Sequence, residues 1–497
     1  MEVVSSTRPL WAVLISGIAA ILILLTGEDK KNLREFWTLL ASILKFLVVV
    51  SMIPTVLSGK VMEYTLLTLS PGIALQWRVD AFGLLFATLA SALWIATSFY
   101  SIGYMRGLQE HKQTRFYFCF ALALHGALGV AFASNLLTLF IFYEILSIST
   151  FPLVAHKETA EAIAGGRKYL SYLLTSATLI LFSIGLTYSL TGKLDFVPGG
   201  FLANSGSTNI LCLLFITFIL GFGTKAALMP LHEWLPTAMV APTPVSALLH
   251  AVAVVKAGVF CVLRVLLYVF GPNLLSDLHL WIYLAYFASI TILASGMLAL
   301  AQENLKRRLA FSTINNLALI ILGATLLSPS AMTGGIFHIA GHGFMKIALF
   351  FVAGIIYVRT HKENVTELDG IGREMPMTMG AFALGAIGIA GIPPLVGFIS
   401  KWYLGLGCLE AHEVVFLFVV VLNALLDVAY FFPIVYRSFF KAVKEPVQFS
   451  LREGSAFMVI PTVLCAIISL CLGLFPNAIV RFFEMALFAT KQILRLG

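Results

Sequence analysis

The residues with chemistry to offer are few, and most stand inside long apolar stretches: Lys45, Glu144, Lys225, His250, Lys256, His338, His342, Lys346, Lys401 and Asp427. A charge at the centre of a lipid-embedded helix costs ~2.5–3.5 kcal/mol even on lenient scales, so such groups face a bundle interior or water. Amines dominate the set, and Glu144 in FYEILSIST and Asp427 in LNALLDVAYF are its acids. Burial favours a neutral amine and a nearby carboxylate restores the ammonium, so amines with movable acid neighbours can take up and release protons. Glu144 is the expected partner of Lys225 in such a toggle. For each lysine the plainer alternative is snorkelling to an interface or a fixed helix–helix ion pair, and for Lys45, near the end of its stretch, both readings stand.

Two of the lysines lie beside helix breakers. In FGTKAALMPLHEWLP, residues 222–236, Lys225 precedes Pro230 by about one turn, and in GIPPLVGFISKWYL Pro393 and Pro394 precede Lys401. Helices break at membrane depth where the freed backbone faces protein or a watery cavity, and transporters place such breaks on the ion path. In HIAGHGFMK, His338, His342 and Lys346 recur every four residues and share one helix face. Two imidazoles leading to an amine form a relay for protons; a satisfied core histidine is the plain alternative, and a metal would need a third ligand that this face does not supply. His250 and Lys256 stand ~120° apart on a helix and face different partners.

The elements that position these groups are membrane helices. The chain is 60% hydrophobic and 11% charged, with a mean hydropathy of +0.96, which places it among polytopic membrane proteins. At about 20 apolar residues per crossing, spans fall near 9–27, 36–57, 80–104, 116–134, 136–154, 168–191, 209–229, 243–269, 279–301, 309–327, 332–358, 377–407, 413–438 and 456–479. The expected fold is all-α, about fourteen helices, broken in the seventh and twelfth. The five-helix offset between the breaks implies two repeats, which an odd helix number makes inverted. The expected division is 1–115 (helices 1–3), 116–270 (first repeat), 271–441 (second repeat) and 442–497 (helix 14 and tail). By order this sets Lys225 opposite Lys401, the neighbourhood of Lys168 opposite Lys346, and Lys256 opposite Asp427. The tail 481–497 is either a membrane-surface helix or a docking segment.

The net charge of +8 comes from cations in short loops without interleaved aromatics, so nucleic-acid binding is set aside. Loops after odd-numbered helices carry most of them, from Lys30, Lys31, Arg106 and Lys112 through Lys306, Arg307, Arg359 and Lys362 to Lys441, Lys444 and Arg452; loops after even-numbered helices carry Lys60, Arg78 and Lys193. The positive-inside rule then puts the odd loops in the cytoplasm and both termini outside, against the mild counter-signal of Arg481, Lys491 and Arg495. The first span is read as a retained helix rather than a removable signal. Six cysteines fall singly in helices, without cluster or zinc spacing. No phosphate-binding glycine loop or hydrolase nucleophile motif occurs either.

The runs TKAALMPLHEWLPTAMVAPTPVSALLHAVAVVKAGVF, LKRRLAFSTI, HIAGHGFMKIALFF and PPLVGFISKWYL resemble the antiporter-like subunits shared by respiratory complex I, Mrp-type sodium/proton antiporters and membrane-bound group 4 hydrogenases, over about residues 80–440. The resemblance implies a proton path through Glu144, Lys225, Lys256, Lys346 and Lys401, with His250, His338, His342 and Asp427 as relays and the helix breaks at Pro230, Pro393 and Pro394. It implies no cofactor or metal in this chain. The implied partners are other membrane subunits, the lipid bilayer and a peripheral redox arm holding iron–sulfur and metal centres. The setting is the cytoplasmic membrane. LPTAMVAPTP departs from the complex I pattern after the tryptophan, and no long lateral helix follows the last span, which points toward an archaeal hydrogenase-type or related respiratory complex. Three functional readings follow: a redox-driven proton pump subunit, an Mrp-type sodium/proton exchanger without redox partner, and a scaffold with structural lysines. For sodium, Asn315, Asn316, Asn423, Asp427, Ser312 and Thr313 are the candidate oxygens.

Overall fold

A computed structural model describes residues 2–70, 72–441, 452–478 and 480–496; Lys444 lies outside the described residues. Apolar segments long enough to span a bilayer become helices because only a helix satisfies every backbone polar group within one segment. They are α1 Arg8–Thr26, α2 Lys31–Val50, α3 Ala81–Gly107, α4 Gln113–Phe132, α5 Leu136–Val154, α6 Ala160–Thr191 and α7 Thr208–Lys225. Then follow α8 Thr243–Phe270, α9 Leu280–Leu300, α10 Leu305–Thr325, α11 Pro329–Thr360, α12 in two halves (Pro376–Ala390 and Val396–Glu410), α13 Val414–Phe440, α14 Ala456–Leu474 and α15 Phe482–Leu494. Thirteen described helices are long and apolar enough to cross a membrane, and α12 crosses as two shorter pieces. The protein is a predominantly α-helical polytopic membrane protein, with one break after α7 and another between the halves of α12.

Polar residues at the predicted loop edges act as caps: the side chains of Asp80, Asn135, Thr159, Asn304 and Ser328 each accept from a backbone N–H in the first turn of α3, α5, α6, α10 and α11. Inside the bundle, α8, α10 and α11 are buried along their whole spanning windows, whereas α1, α2, α6 and α13 turn more than half of theirs outward. The central three helices therefore carry polar groups that the outer ones would present to lipid.

Three features differ from the helical expectation. The segment between α2 and α3 is a hairpin, β2 Lys60–Ser70 antiparallel to β3 Ile73–Val79, with the N-terminal strand β1 Glu2–Ser5 parallel to β2. Helix α8 is not uniform: Leu248–Val252 and Val265–Phe270 are π-helical, and Ala253 between the first π turn and the α-helical Val254–Arg264 departs from helical geometry at φ −126°, ψ −68°. Of the two readings of the tail, docking is the one observed: α15 buries Phe482, Met485, Ala486, Ala489, Thr490 and Ile493, packing on α11 and α3.

Candidate functional site: a buried line of amines and imidazoles

The site begins at the break in α7. That helix stops at Lys225, and the carbonyl of Thr224 freed by the break accepts from the indole of Trp234 at 2.8 Å. The Lys225 ammonium donates to the Tyr143 carbonyl (2.9 Å) and the Ser147 hydroxyl (2.8 Å) of α5, and lies 3.2 Å from the centre of the Tyr143 ring. Glu144, the expected partner, acts on Lys225 electrostatically without a direct ion pair. Among the described residues no Glu144 oxygen forms an ion pair with Lys225, and Glu144 Oε1 is buried without a hydrogen-bond partner. The reason is helical: Tyr143 and Ser147 are four apart and share a face, while Glu144 is rotated about 100° from it. Ser147, bonded by Lys225, still neighbours Glu144.

Helix α8 passes directly behind this break. A Cβ at Gly258 would stand 2.4 Å from the Ala226 nitrogen, so glycine alone allows the approach. Lys256, two residues earlier, shares a 2.8 Å hydrogen bond with Nδ1 of His342 on α11. His250, on the first π turn, has neither ring nitrogen partnered and lies over Phe350 at 4.6 Å, so it and Lys256 do face different neighbours.

On α11 the three spaced groups share a face but not a partner. The His338 and His342 rings are 5.8 Å apart; His338 meets the Ser400 hydroxyl at 2.7 Å and Asn316 at 3.1 Å. Lys346 donates to the Ser312 hydroxyl at 2.7 Å.

At the second break Lys401 reaches back from the second half of α12 to the Ile389 carbonyl ending the first half (2.8 Å), and donates to Asp427 of α13 at 2.6 Å. Asp427 also accepts from the Tyr430 hydroxyl, which stands 2.8 Å from Ser312. Each hydroxyl holds one proton, so the donors line up as Lys346 to Ser312 to Tyr430 to Asp427, with Lys401 closing on the same carboxylate. Every member of this line is buried. Among the described residues, no hydrogen bond joins Lys225 to the Lys256 group.

The prolines sit in both breaks: Pro230 between α7 and the turn at Trp234, Pro393 and Pro394 between the halves of α12. Lys168 is not a buried counterpart of Lys346; it pairs with Glu233 at the protein surface and holds that carboxyl below its ordinary range. Lys45 is fully buried rather than snorkelling, bonded to Ser16 (2.5 Å) and the Leu124 carbonyl (3.2 Å).

Two groups escaped the sequence reading. Arg264 on α8 forms a buried two-point ion pair with the α3 cap Asp80 (2.6 Å for Nη2–Oδ1), ringed by Phe82, Phe196, Phe260 and Tyr268. Its place six residues before the end of α8 reads as an interface position. The hydroxyl couplers Ser400 and Tyr430 were the second, and Ser312 was foreseen as a sodium oxygen rather than a coupler; the available signal was that Tyr430 lies three residues after Asp427 and Ser400 just before Lys401.

The profile of a family described as "NADH:quinone oxidoreductase/Mrp antiporter, TM" matches residues 133–427, more than half of the chain and every member of the line just described except Tyr430. The chain belongs to this family. It is 32% identical over 447 residues to NADH-quinone oxidoreductase subunit N of Desulforudis audaxviator, covering 87% of this chain and 88% of that one. It is 29% identical over 476 residues to a probable K(+)/H(+) antiporter component of Rhizobium meliloti, covering 93% of this chain but 46% of that longer one. Its fold matches a chain of an archaeal respiratory membrane complex, the membrane-bound sulfane sulfur reductase, at a TM-score of 0.88 and 24% identity over 98% of both chains. As an antiporter-like membrane subunit, it carries both helix breaks and the amine line within or beside the matched region.

Proposed function

We propose that this subunit carries protons across the cytoplasmic membrane within a multi-subunit redox-driven complex. Electron transfer would occur in other chains, in a peripheral arm holding iron–sulfur and metal centres. The observation that carries the reading is the buried line itself: Lys256–His342, His338–Ser400, and Lys346–Ser312–Tyr430–Asp427–Lys401. Each junction is a hydrogen bond between groups that gain and lose protons or pass them along, arranged across the protein interior. Lys225 is the gate in this scheme. From its site on Tyr143 and Ser147 it can turn toward Glu144 on one side or the α8 groups on the other, closing the gap in the line.

The candidate sodium oxygens support protons over sodium as the cargo. Ser312 and Asp427 already take amines, Asn316 faces His338, and Asn315 and Thr313 donate to the backbone carbonyls of Ile292 and Leu309. Asn423, 3.5 Å from Asp427, leaves its Oδ1 unpartnered, but the others are spent on separate partners, fewer free oxygens than a hard cation takes. The near-complete coverage of the oxidoreductase chain from Desulforudis audaxviator supports a redox setting. The Mrp antiporters within the same family support the second reading, an Mrp-type sodium/proton exchanger.

The test is proton pumping by the assembled native complex in sealed vesicles, together with its iron content. Lys225→Ala is expected to cut pumping at least tenfold while the complex keeps its subunits and its iron. Unchanged pumping would make the lysine structural. An iron-free assembly of membrane subunits that exchanges sodium for protons would establish the second reading.

A further inference from the structure

We propose that Glu110, His111 and His156, where the α3–α4 and α5–α6 loops meet, form a binding site for a divalent transition metal ion, with zinc the fitting ion. Their ligand atoms lie within 4.8 Å of one another: His156 Nε2 is 4.0 Å, and His111 Nδ1 3.9 Å, from Glu110 Oε2. Zinc–ligand bonds of about 2.0–2.2 Å set tetrahedral ligands roughly 3.3–3.5 Å apart. Closing the set takes a shift of about half an ångström by the Glu110 carboxylate toward buried His156, and one of up to about 1.3 Å by His111, whose side chain is 44% exposed.

The second observation is independent of the clustering. His156 is fully buried, yet neither ring nitrogen has a hydrogen-bond partner among the described residues. Buried imidazoles without partners are rare, and this one is aimed at the carboxylate that completes the set. Its backbone is held, since Arg115 donates to the His156 carbonyl at 3.1 Å, and the Gln113 amide likewise holds the Glu110 carbonyl at 3.0 Å.

The charges around the site leave Glu110 available. Lys112 and Arg115, the nearby cations, are both taken up by Glu158, at 2.7 and 2.5 Å. Glu158 also stands 3.7 Å from Nε2 of His111, where it would orient the ring when Nδ1 binds the metal. Two imidazole nitrogens and one carboxylate favour zinc or a similar ion over calcium or magnesium, which take oxygen ligands. A bound ion would tie the end of α3 to the end of α5, the helix that holds Lys225.

The test uses the native complex purified without a histidine tag and stripped with chelator, then titrated with Zn2+ alone by calorimetry and with Co2+ by visible absorption. One saturable ion per copy of this chain is expected, with a low-symmetry cobalt spectrum. His111→Ala, at an exposed position, and Glu110→Gln should each weaken binding at least about tenfold. Absent saturable binding, or binding the same in both variants, would overturn the site.

Discussion

At the residue scale the decisive contact is Lys401 with Asp427, both buried, between α12 and α13. Removing one member of a buried pair leaves an uncompensated charge and costs about 3–5 kcal/mol, whereas replacing both by apolar groups is often neutral. Asp427→Asn should therefore lower the thermal stability of the detergent-solubilised protein, and replacing both members by apolar groups, Asp427→Leu with Lys401→Met, should restore most of the loss. If the pair also passes protons, neither variant recovers pumping, because the Lys346–Ser312–Tyr430 line loses the carboxylate that ends it. A double variant that is both stable and fully active would reduce the pair to a structural strut. Ionisable residues inside apolar runs were legible from the sequence because their cost in lipid demands a reason. Their partners were not. The choice of Tyr143 and Ser147 for the Lys225 ammonium, and of His342 for Lys256, depends on how helices rotate against one another, which no single segment encodes.

At the element scale the two helix breaks were legible through their prolines, and the distortions of α8 were not. Residues 248–270 hold no proline, and their π turns arise in a helix buried on all sides beside the α7 break. The β2–β3 hairpin was missed for another reason: its short apolar runs, VMEYTLLTL and IALQWRV, lack the length of a span and so read as loop. The breaks also depend on glycines that let backbones meet. A methyl on Gly397 would stand 1.9 Å from the Gly388 carbonyl oxygen, which ties the second half of α12 to the first. Gly397→Ala is expected to destabilise the protein by about 1–3 kcal/mol through this clash, read as a lower melting temperature by intrinsic tryptophan fluorescence. Gly380→Ala in the same helix is the control: nothing lies within 4 Å of its added methyl, so it should be neutral or gain about 0.5–1 kcal/mol from helix propensity. Equal melting of the two variants would show that the half-helices tolerate separation.

At the scale of the whole molecule the open question is which way the bundle faces. Both ends of the chain lie with the loops that follow even-numbered helices: β1 pairs with β2, and Arg495 sits against Gly199 in the α6–α7 loop. That face is poor in cations, and two of those it has are held by acids, Lys60 by Glu2 and Arg78 by Glu63. The opposite face is richer in lysine and arginine, with Arg307 and Arg359 outside every ion pair among the described residues, and the positive-inside rule assigns it to the cytoplasm. The rule counts lysine and arginine, so the reporter must change neither. Glu303→Cys in the α9–α10 loop and Asn204→Cys in the α6–α7 loop are both exposed and leave the cation count untouched. A membrane-impermeant maleimide should label Asn204→Cys in right-side-out vesicles and Glu303→Cys only in inverted ones, above the background of the native cysteines. The reverse pattern would place both termini in the cytoplasm and move the Glu110, His111 and His156 cluster to the outer face. Labelling of both from one side would contradict the bundle itself, because α7, α8 and α9 cross an odd number of times between them.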